Sequence, residues 1–393
     1  MRHFAVRVSW DDIKERLNPL EFRRAHGLSS EAFDDVLGRI RPLITDEAGG
    51  HGGARNGTVV PAEIKLHLTL RWLRGGQFHD FLTPFGISKA QCYVVFWRVC
   101  KAICATHKLP MASVVAAARR GDTSALRRWA TGFSAFTLGI ISSCFGAIDG
   151  VQVLIKKPSV NEVPNRNPAQ YFNRYGKPTI NVQAVADHTA RITYLAVNAP
   201  GGMHDNQALN ISNLADVLAS VFAVLGFHLV GDEAYVNGIG MLCPVSGPAP
   251  GSPEDHFNYF QSLTRQPIER AFGIIERRWG ILWRRLECKL EHVGLVLLTI
   301  VLLHNICMDY AVPHEDLEEV SPACRLVRTS DGQSHQGRRF DLEQSDRRDE
   351  ITQQLKDRGL QRHAVDGPRR PESSRGRGRG RGGGGGRGGG RNM

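Results

Sequence analysis

The sequence predicts an α/β protein: a helical N-terminal region, then a domain of mixed strands and helices, then a polar tail. Three observations carry this. Apolar residues in roughly the first 130 positions recur at helical spacing. From Ser143 the period changes to the alternation of strands, and the last 27 residues are dominated by Gly and Arg. The divisions that follow are residues 1–135, 140–312, a mixed-charge extension 313–366 and a tail 367–393.

Ala32 to Ile44 places Phe33, Val36, Leu37, Ile40 and Leu43 on one face and predicts a helix. A Gly-rich break follows, then a second helix over Ala62 to Leu73. Gln77 to Phe85 reads as a short helix, Gly86 as a turn, Ser88 as an N-cap and Lys89 to Ile103 as a longer helix. The segment 77–104 thus has the form of a helix-turn-helix, although a plain helical hairpin that packs the region together reads the same way.

Cys144 to Ile155 has a strand pattern interrupted by Asp149-Gly150. Pro178 to Asp187 alternates as a second strand and Arg191 to Asn198 as a third, joined by a polar turn. Pro200-Gly201-Gly202 is a break, Asn206 to Leu225 is helical, and His228 to Val230 is a short strand leading into Gly231-Asp232. Glu254 to Arg265 carries no clear period. Ile268 to Leu290 reads as one amphipathic helix, with Ile268, Phe272, Ile275, Trp279, Leu282, Leu286 and Leu290 on its apolar face and Pro267 tolerable only in its first turn. Val293 to Met308 is a further apolar helix. Its apolar run, Val293 to Leu303, is shorter than the roughly 20 residues that span a bilayer, so a buried helix and no membrane partner are expected. Three antiparallel-capable strands, a crossover helix, a fourth strand and long helices describe an RNase H-like domain.

The chain has 393 residues, 41% hydrophobic, which excludes wholesale disorder. Fifty Lys and Arg against 39 Asp and Glu leave a net charge of +11. The tail holds eight arginines and one acid, and its composition cannot bury a core, so it is expected to be disordered. Seven basic residues and three acids lie between Arg265 and Lys289, a local basic stretch suited to nucleic-acid phosphate. The N-terminus has no apolar leader, so secretion is not expected. None of the eight cysteines forms a Cys-x-x-Cys pair, which fits a reducing compartment. Cys100, Cys104 and His107 could form one corner of a zinc site, but no second ligand pair is near, and ordinary buried cysteines are the favoured reading.

Four acids stand at telling places: Asp149 in GAIDG, Asp205 in GGMHDN, Asp232 in GDEAY and Glu269 in IERAFG, the last expected in the first turn of its helix. Singly, each reads as a turn residue, an N-cap, a strand terminator or a dipole-complementing acid. Together, acids from the first and fourth strands and a following helix can converge. Such a cluster suits magnesium or manganese, and two ions can serve phosphodiester chemistry.

The residues then match a known pattern. The stretches LHLTLRWLRGGQFHDFLTPFGISKA, FGAIDGVQV, YFNRYGKPTINVQAVADHTARITYLAVNAPGGMHDN, LVGDEAY, IERAFGIIERRW and LLHNIC resemble PIF/Harbinger-type DDE transposases and the nucleases derived from them, over most of residues 60–310. RRDEITQQL near residue 350 resembles the family's C-terminal pattern more weakly. The resemblance implies a metal-dependent nuclease with Asp149, Asp232 and Glu269 as the catalytic triad and Asp205 counted with the metal site. It implies cleavage at element ends, joining of 3′-OH ends to target DNA, a nuclear location, assembly as a homo-oligomer on DNA and a Myb-like DNA-binding partner. Arg265, Arg270, Arg277, Arg278, Arg284, Arg285 and Lys89 are the expected DNA contacts. Two departures stand out: Val151-Gln152 follows the first Asp-Gly where Thr-His is common, and Glu276 stands where a related signature has lysine, on the helix face of Glu269. The alternatives are a transposase-derived DNA-binding protein without catalysis, and an RNA-binding protein acting through the Arg-Gly tail.

Overall fold

The computed structural model describes residues 8–46, 59–164, 166–314, 326–328 and 346–362; the expected disorder of the tail falls outside these. Among the described residues, eight helices precede the first strand: α1 (Trp10–Arg16), α2 (Pro19–His26), α3 (Ser30–Ile44), α4 (Ala62–Leu73), α5 (His79–Phe85), α6 (Lys89–Thr106), α7 (Met111–Arg119) and α8 (Ser124–Phe136). Side-chain caps fix several starts. Ser9, Asn18, Ser29 and Ser88 each accept a backbone N–H from the first turn that follows. Gly27 and Gly86 end α2 and α5 in the left-handed conformation. On α3, Ile44 is buried and Leu43 is 47% exposed, the reverse of the expected face at that end.

α4 is the buried centre of this bundle, with Ile64, Leu66, Leu68, Leu70 and Leu73 all inside. α6 packs against α3, α4 and the later helix α12 (Leu290–Asp309). α6 is a bundle helix buried along one face, with Lys89, Ala90, Val94, Lys101 and Ala105 exposed on the other. Cys100 and Cys104 sit on α6, with Cys104 Sγ 3.4 Å from Thr299 Oγ1. Burial raises both thiols above their ordinary value, Cys100 strongly, which suits packing groups rather than metal ligands.

Two histidines meet inside the bundle, His26 Nε2 lying 2.8 Å from His67 Nδ1. Burial holds His26 down at about 4 and His67 at about 3. The unfolded chain therefore takes up protons first on acidification. The stability these groups confer is complete above about pH 6.5 and is lost as the pH falls toward 4. His228 and His304, at about 3 and about 4, act in the same sense. Melting curves across that window are expected to fall steadily toward acid, and more shallowly in His67→Gln; an unchanged slope in the variant would remove the pair as a cause.

The sheet contains β1 (Cys144–Leu154), β2 (Thr179–Ala186), β3 (Ile192–Pro200), β4 (His228–Val230) and β5 (Met241–Leu242) in the order β3-β2-β1-β4-β5. β1, β2 and β3 are antiparallel, while β4 runs parallel to β1 and β5 parallel to β4. A sixth strand, β6 (Val327–Arg328), pairs with the far end of β1. β1 is continuous through Asp149-Gly150, contrary to the expected interruption, because β2 pairs with it residue for residue from Ala147 to Leu154.

One face of the sheet carries α11 (Pro253–Arg278) and α12, and residues of α2 to α6 share their buried cluster. The other face carries α7, α9 (Asp205–Asn210) and α10 (Asn213–Val217), which form a second cluster with Phe145, Ile148 and Leu229. The expected helix over 206–225 is therefore divided. Ser212 caps a new start by accepting the Leu214 N–H, and a π turn, Leu218–Phe222, follows. α12 is long and apolar enough to cross a membrane by length and composition, yet 67% of its apolar stretch is buried and it packs on β3 and α6 as a core helix.

The expected helix over 268–290 is corrected most. α11 starts at Pro253, takes in the patternless stretch 254–265, and ends at Arg278, so Pro267 and Glu269 lie deep inside it. A 3-10 turn, Gly280–Trp283, follows, and then Leu286 pairs with the end of β1 through Leu154 O and Lys156 N. The apolar spacing continued past the helix end because Trp279, Leu282 and Leu286 are buried from non-helical backbone as well. The reason for the stop is packing: Gly280 lies so close to the chain at Arg74 that a Cβ there would be 2.5 Å from Arg74 O.

Candidate active site

Asp149 lies in β1 opposite Ala184 and is fully buried. β4 places Val230 beside Ala147. Asp232 follows two residues beyond the end of β4. Asp232 is also buried; its Oδ1 accepts the Ala234 N–H at 2.9 Å, while its Oδ2 has no hydrogen-bond partner among the described residues. Glu269 approaches from α11. Arg265, one helical turn earlier, joins the two elements: its Nη2 is 3.5 Å from Glu269 Oε1 and 3.8 Å from Asp149 Oδ2.

Asp205 is held by side-chain amides of β2. It begins α9, and its Oδ1 accepts from Asn181 Nδ2 at 2.9 Å and from Gln183 Nε2 at 2.8 Å. Gln183 pairs with Gly150, so both address the sheet face opposite to that of Asp149. A Cβ on Gly150 would stand 2.3 Å from Asp205 Oδ1. Asp205 therefore docks on the α9 face at Gly150, while Asp149 meets α11 on the other face.

Tyr235 completes the network on that face, its hydroxyl donating to Gln183 Oε1. Burial, and then the nearby carboxylates of Asp205, Asp149 and Asp232, push its phenol well above its ordinary value. The phenol is thereby held as a donor. Asn181, Gln183 and Tyr235 were missed from sequence. A signal existed: two amides two residues apart on an otherwise apolar strand mark one polar side of a buried sheet.

The expected DNA contacts separate into kinds. Arg265 is engaged with the carboxylates, and Arg277 Nη2 donates to His314 O at 3.0 Å. Arg278 is corrected: it is 1% exposed, and its guanidinium donates to Gly27 O at 2.7 Å and to Val312 O and Pro313 O at 3.3 Å, so it cannot reach phosphate. Arg284 Nη2 donates to Gly75 O at 3.1 Å and Lys89 Nζ lies 4.5 Å from the centre of the Phe78 ring. Arg270 and Arg285 are exposed, the latter beside Glu287.

Among the described residues, no three His, Cys, Asp or Glu side chains form a ready-made metal cluster. The donor set nevertheless fits an oxygen-liganded divalent cation. Asp149 in β1 and Asp232 just past β4 are both buried carboxylates, Asp232 has an unsatisfied oxygen, and Arg265 brings positive charge beside Asp149.

Residues 148–305 match the model of the DDE superfamily endonuclease family. Two vertebrate proteins named "Putative nuclease HARBI1" are similar as well. That of Xenopus laevis is 26% identical over 190 residues, 47% of this chain and 51% of that protein. That of Homo sapiens is 25% identical over 175 residues, 42% of this chain and 46% of that protein. The chain spans about half the length of the curated relatives it matches. No solved structure matches it significantly. Through residues 148–305, which hold all four acids, the chain resembles the DDE superfamily endonucleases and the transposase-derived nucleases similar to it.

Proposed function

We propose that this protein is a divalent-metal-dependent DNA nuclease of the PIF/Harbinger transposase type, with an RNase H-like catalytic domain. The observation that carries the reading is the pair of buried carboxylates, Asp149 in β1 and Asp232 just past the adjacent parallel strand β4, with Glu269 linked to the first through Arg265. Asp149 and Asp232 would hold the cation, magnesium or manganese and by the resemblance two ions, and Glu269 would complete its shell. When bound, the cation favours attack of water on a phosphodiester and steadies the departing oxygen. The chain's own contribution is a rigid sheet that fixes the carboxylates and a helix that carries Glu269 and exposed Arg270 toward phosphate. The same reading extends to joining of the 3′-OH to target DNA, to a nuclear location, a Myb-like partner and a homo-oligomer on DNA. RNA binding through the Arg-Gly tail is the alternative reading, and deleting residues 367–393 would separate it from nuclease activity.

A supercoiled plasmid carrying element-end DNA tests the reading. Nicking is expected with magnesium or manganese, none with chelator, and a loss of about a hundredfold or more in Glu269→Gln. Retained DNA binding with no metal-dependent nicking in the parent protein would favour the non-catalytic alternative.

A further inference from the structure

The arginines that the sequence concentrates near Glu269 are mostly occupied within the protein. Arg278 is buried, Arg265 stands between Asp149 and Glu269, Arg277 and Arg284 hold main-chain carbonyls, and Arg285 lies beside Glu287. A second basic group has no such occupation. Residues 119–128, RRGDTSALRR, hold four arginines and one acid. All four arginines are exposed, and none forms an ion pair among the described residues.

The fold presents them together. α7 buries Met111, Val114 and Ala118, and α8 buries Leu126, Ala130 and Phe133, so both arginine pairs fall on the outer side of the chain. Gly121 turns the chain between the helices in the left-handed conformation. The one acid, Asp122, is used within that turn, its Oδ1 accepting the Ser124 N–H at 2.9 Å. Arg127 Nε donates to Thr123 Oγ1 at 3.1 Å, which steadies that guanidinium beside the turn. The seat is firm: α8 packs on β1 and α11, and Val114, Ala118 and Leu126 join Phe145 and Ile148 in the buried cluster on the α9 face of the sheet. Glu269 and Arg270 lie on α11, which covers the other face.

We propose that Arg119, Arg120, Arg127 and Arg128 form a docking surface for the phosphate backbone of duplex DNA, engaging a part of the duplex away from the carboxylates. This rests on the nuclease reading above and adds a holding surface to it. Guanidinium groups pair with phosphate oxygens whatever the base, so the surface supplies affinity and salt dependence without sequence preference.

Fluorescence anisotropy of the full chain with a labelled duplex, in calcium and over a series of salt concentrations, tests it. With all four arginines replaced by glutamine, the slope of log affinity against log salt should become shallower by about 3 to 4, since each phosphate contact contributes about 0.9. Replacement by lysine keeps most of the slope, because the charge is kept. Melting curves stay near the parent's, the positions being exposed. The two half-variants, Arg119→Gln with Arg120→Gln and Arg127→Gln with Arg128→Gln, should each give about half the change, and they decide the matter if the fourfold variant does not fold. An unchanged slope in the folded glutamine variants overturns the surface and leaves the arginines as a solvated helix end. A change seen with an RNA duplex and not with DNA overturns it too. The nuclease reading is judged apart, by nicking of the parent in magnesium: a parent that binds DNA but never nicks it sinks that reading alone, and a parent that binds no DNA sinks both.

Discussion

Asp149→Asn is expected to leave a folded protein that no longer nicks DNA. The substitution keeps the shape of a fully buried side chain, and the acceptor oxygen that takes the Gly150 N–H at 2.8 Å can be retained as the amide carbonyl. What disappears is a full negative charge that offers a cation its most enclosed oxygen. Loss of a charged ligand from a buried site removes several kcal/mol of transition-state stabilisation, so the rate should fall by about three orders of magnitude or more. Arg265 keeps its second partner, Glu269, at 3.5 Å, so the guanidinium is not stranded. Thermal melts should then move by only a few degrees. Nicking at more than about a tenth of the parent rate, in a variant with a parent-like melt, would take Asp149 out of the catalytic role.

Gly150→Ala is the second large effect, and it strikes the opposite face. The new methyl group would stand 2.3 Å from Asp205 Oδ1 and 2.6 Å from Gln183 Nε2, distances no pair of heavy atoms sustains. Either α9 backs away or β1 bows, and both break the hydrogen bonds that Asn181 and Gln183 give Asp205 at 2.9 and 2.8 Å. Buried bonds to a charged group count for about 1.5–3 kcal/mol each. A loss of about 4 kcal/mol, or roughly 10 °C in melting temperature, follows. Activity should fall as well, because the strand that bows is the one that fixes Asp149. A double-mutant cycle with Asp205→Ala checks the cause: removing the carboxylate makes room for the methyl, so the two losses should not add. Strict additivity would show that the strain arises elsewhere.

Much of this architecture was legible from residues alone. α4 occupies the segment its apolar period indicated, and β4 likewise, because local alternation and capping suffice where one face is buried. The acids of GAIDG, GDEAY and IERAFG could be read as candidates for one site, and in the structure Arg265 links Asp149 to Glu269. What could not be read was parity. That Asp205 docks at Gly150 is decided by the pairing of Gly150 with Gln183 across two strands. The end of α11 was hidden for a related reason: Gly280 is obliged by contact with Arg74, which is some 200 positions away in sequence, so no local pattern could show it. The occupation of Arg265 is likewise long-range, set by a strand remote in sequence.

One feature at the base of α11 reaches beyond the site. Gly27 ends α2 in a left-handed turn, rests against the indole of Trp279 and offers its carbonyl to Arg278, while Arg74 donates to the Arg278 carbonyl. The helical N-terminal region is thus riveted to the helix that bears Glu269. It cannot be exchanged for another as a cassette. A graft that replaced residues 1–135 would leave a buried guanidinium short of an acceptor and a large indole uncovered, and would loosen the catalytic helix it was meant to redirect. Retargeting this protein should therefore work on the outward residues of the existing helices, keeping the Gly27–Trp279 rivet intact.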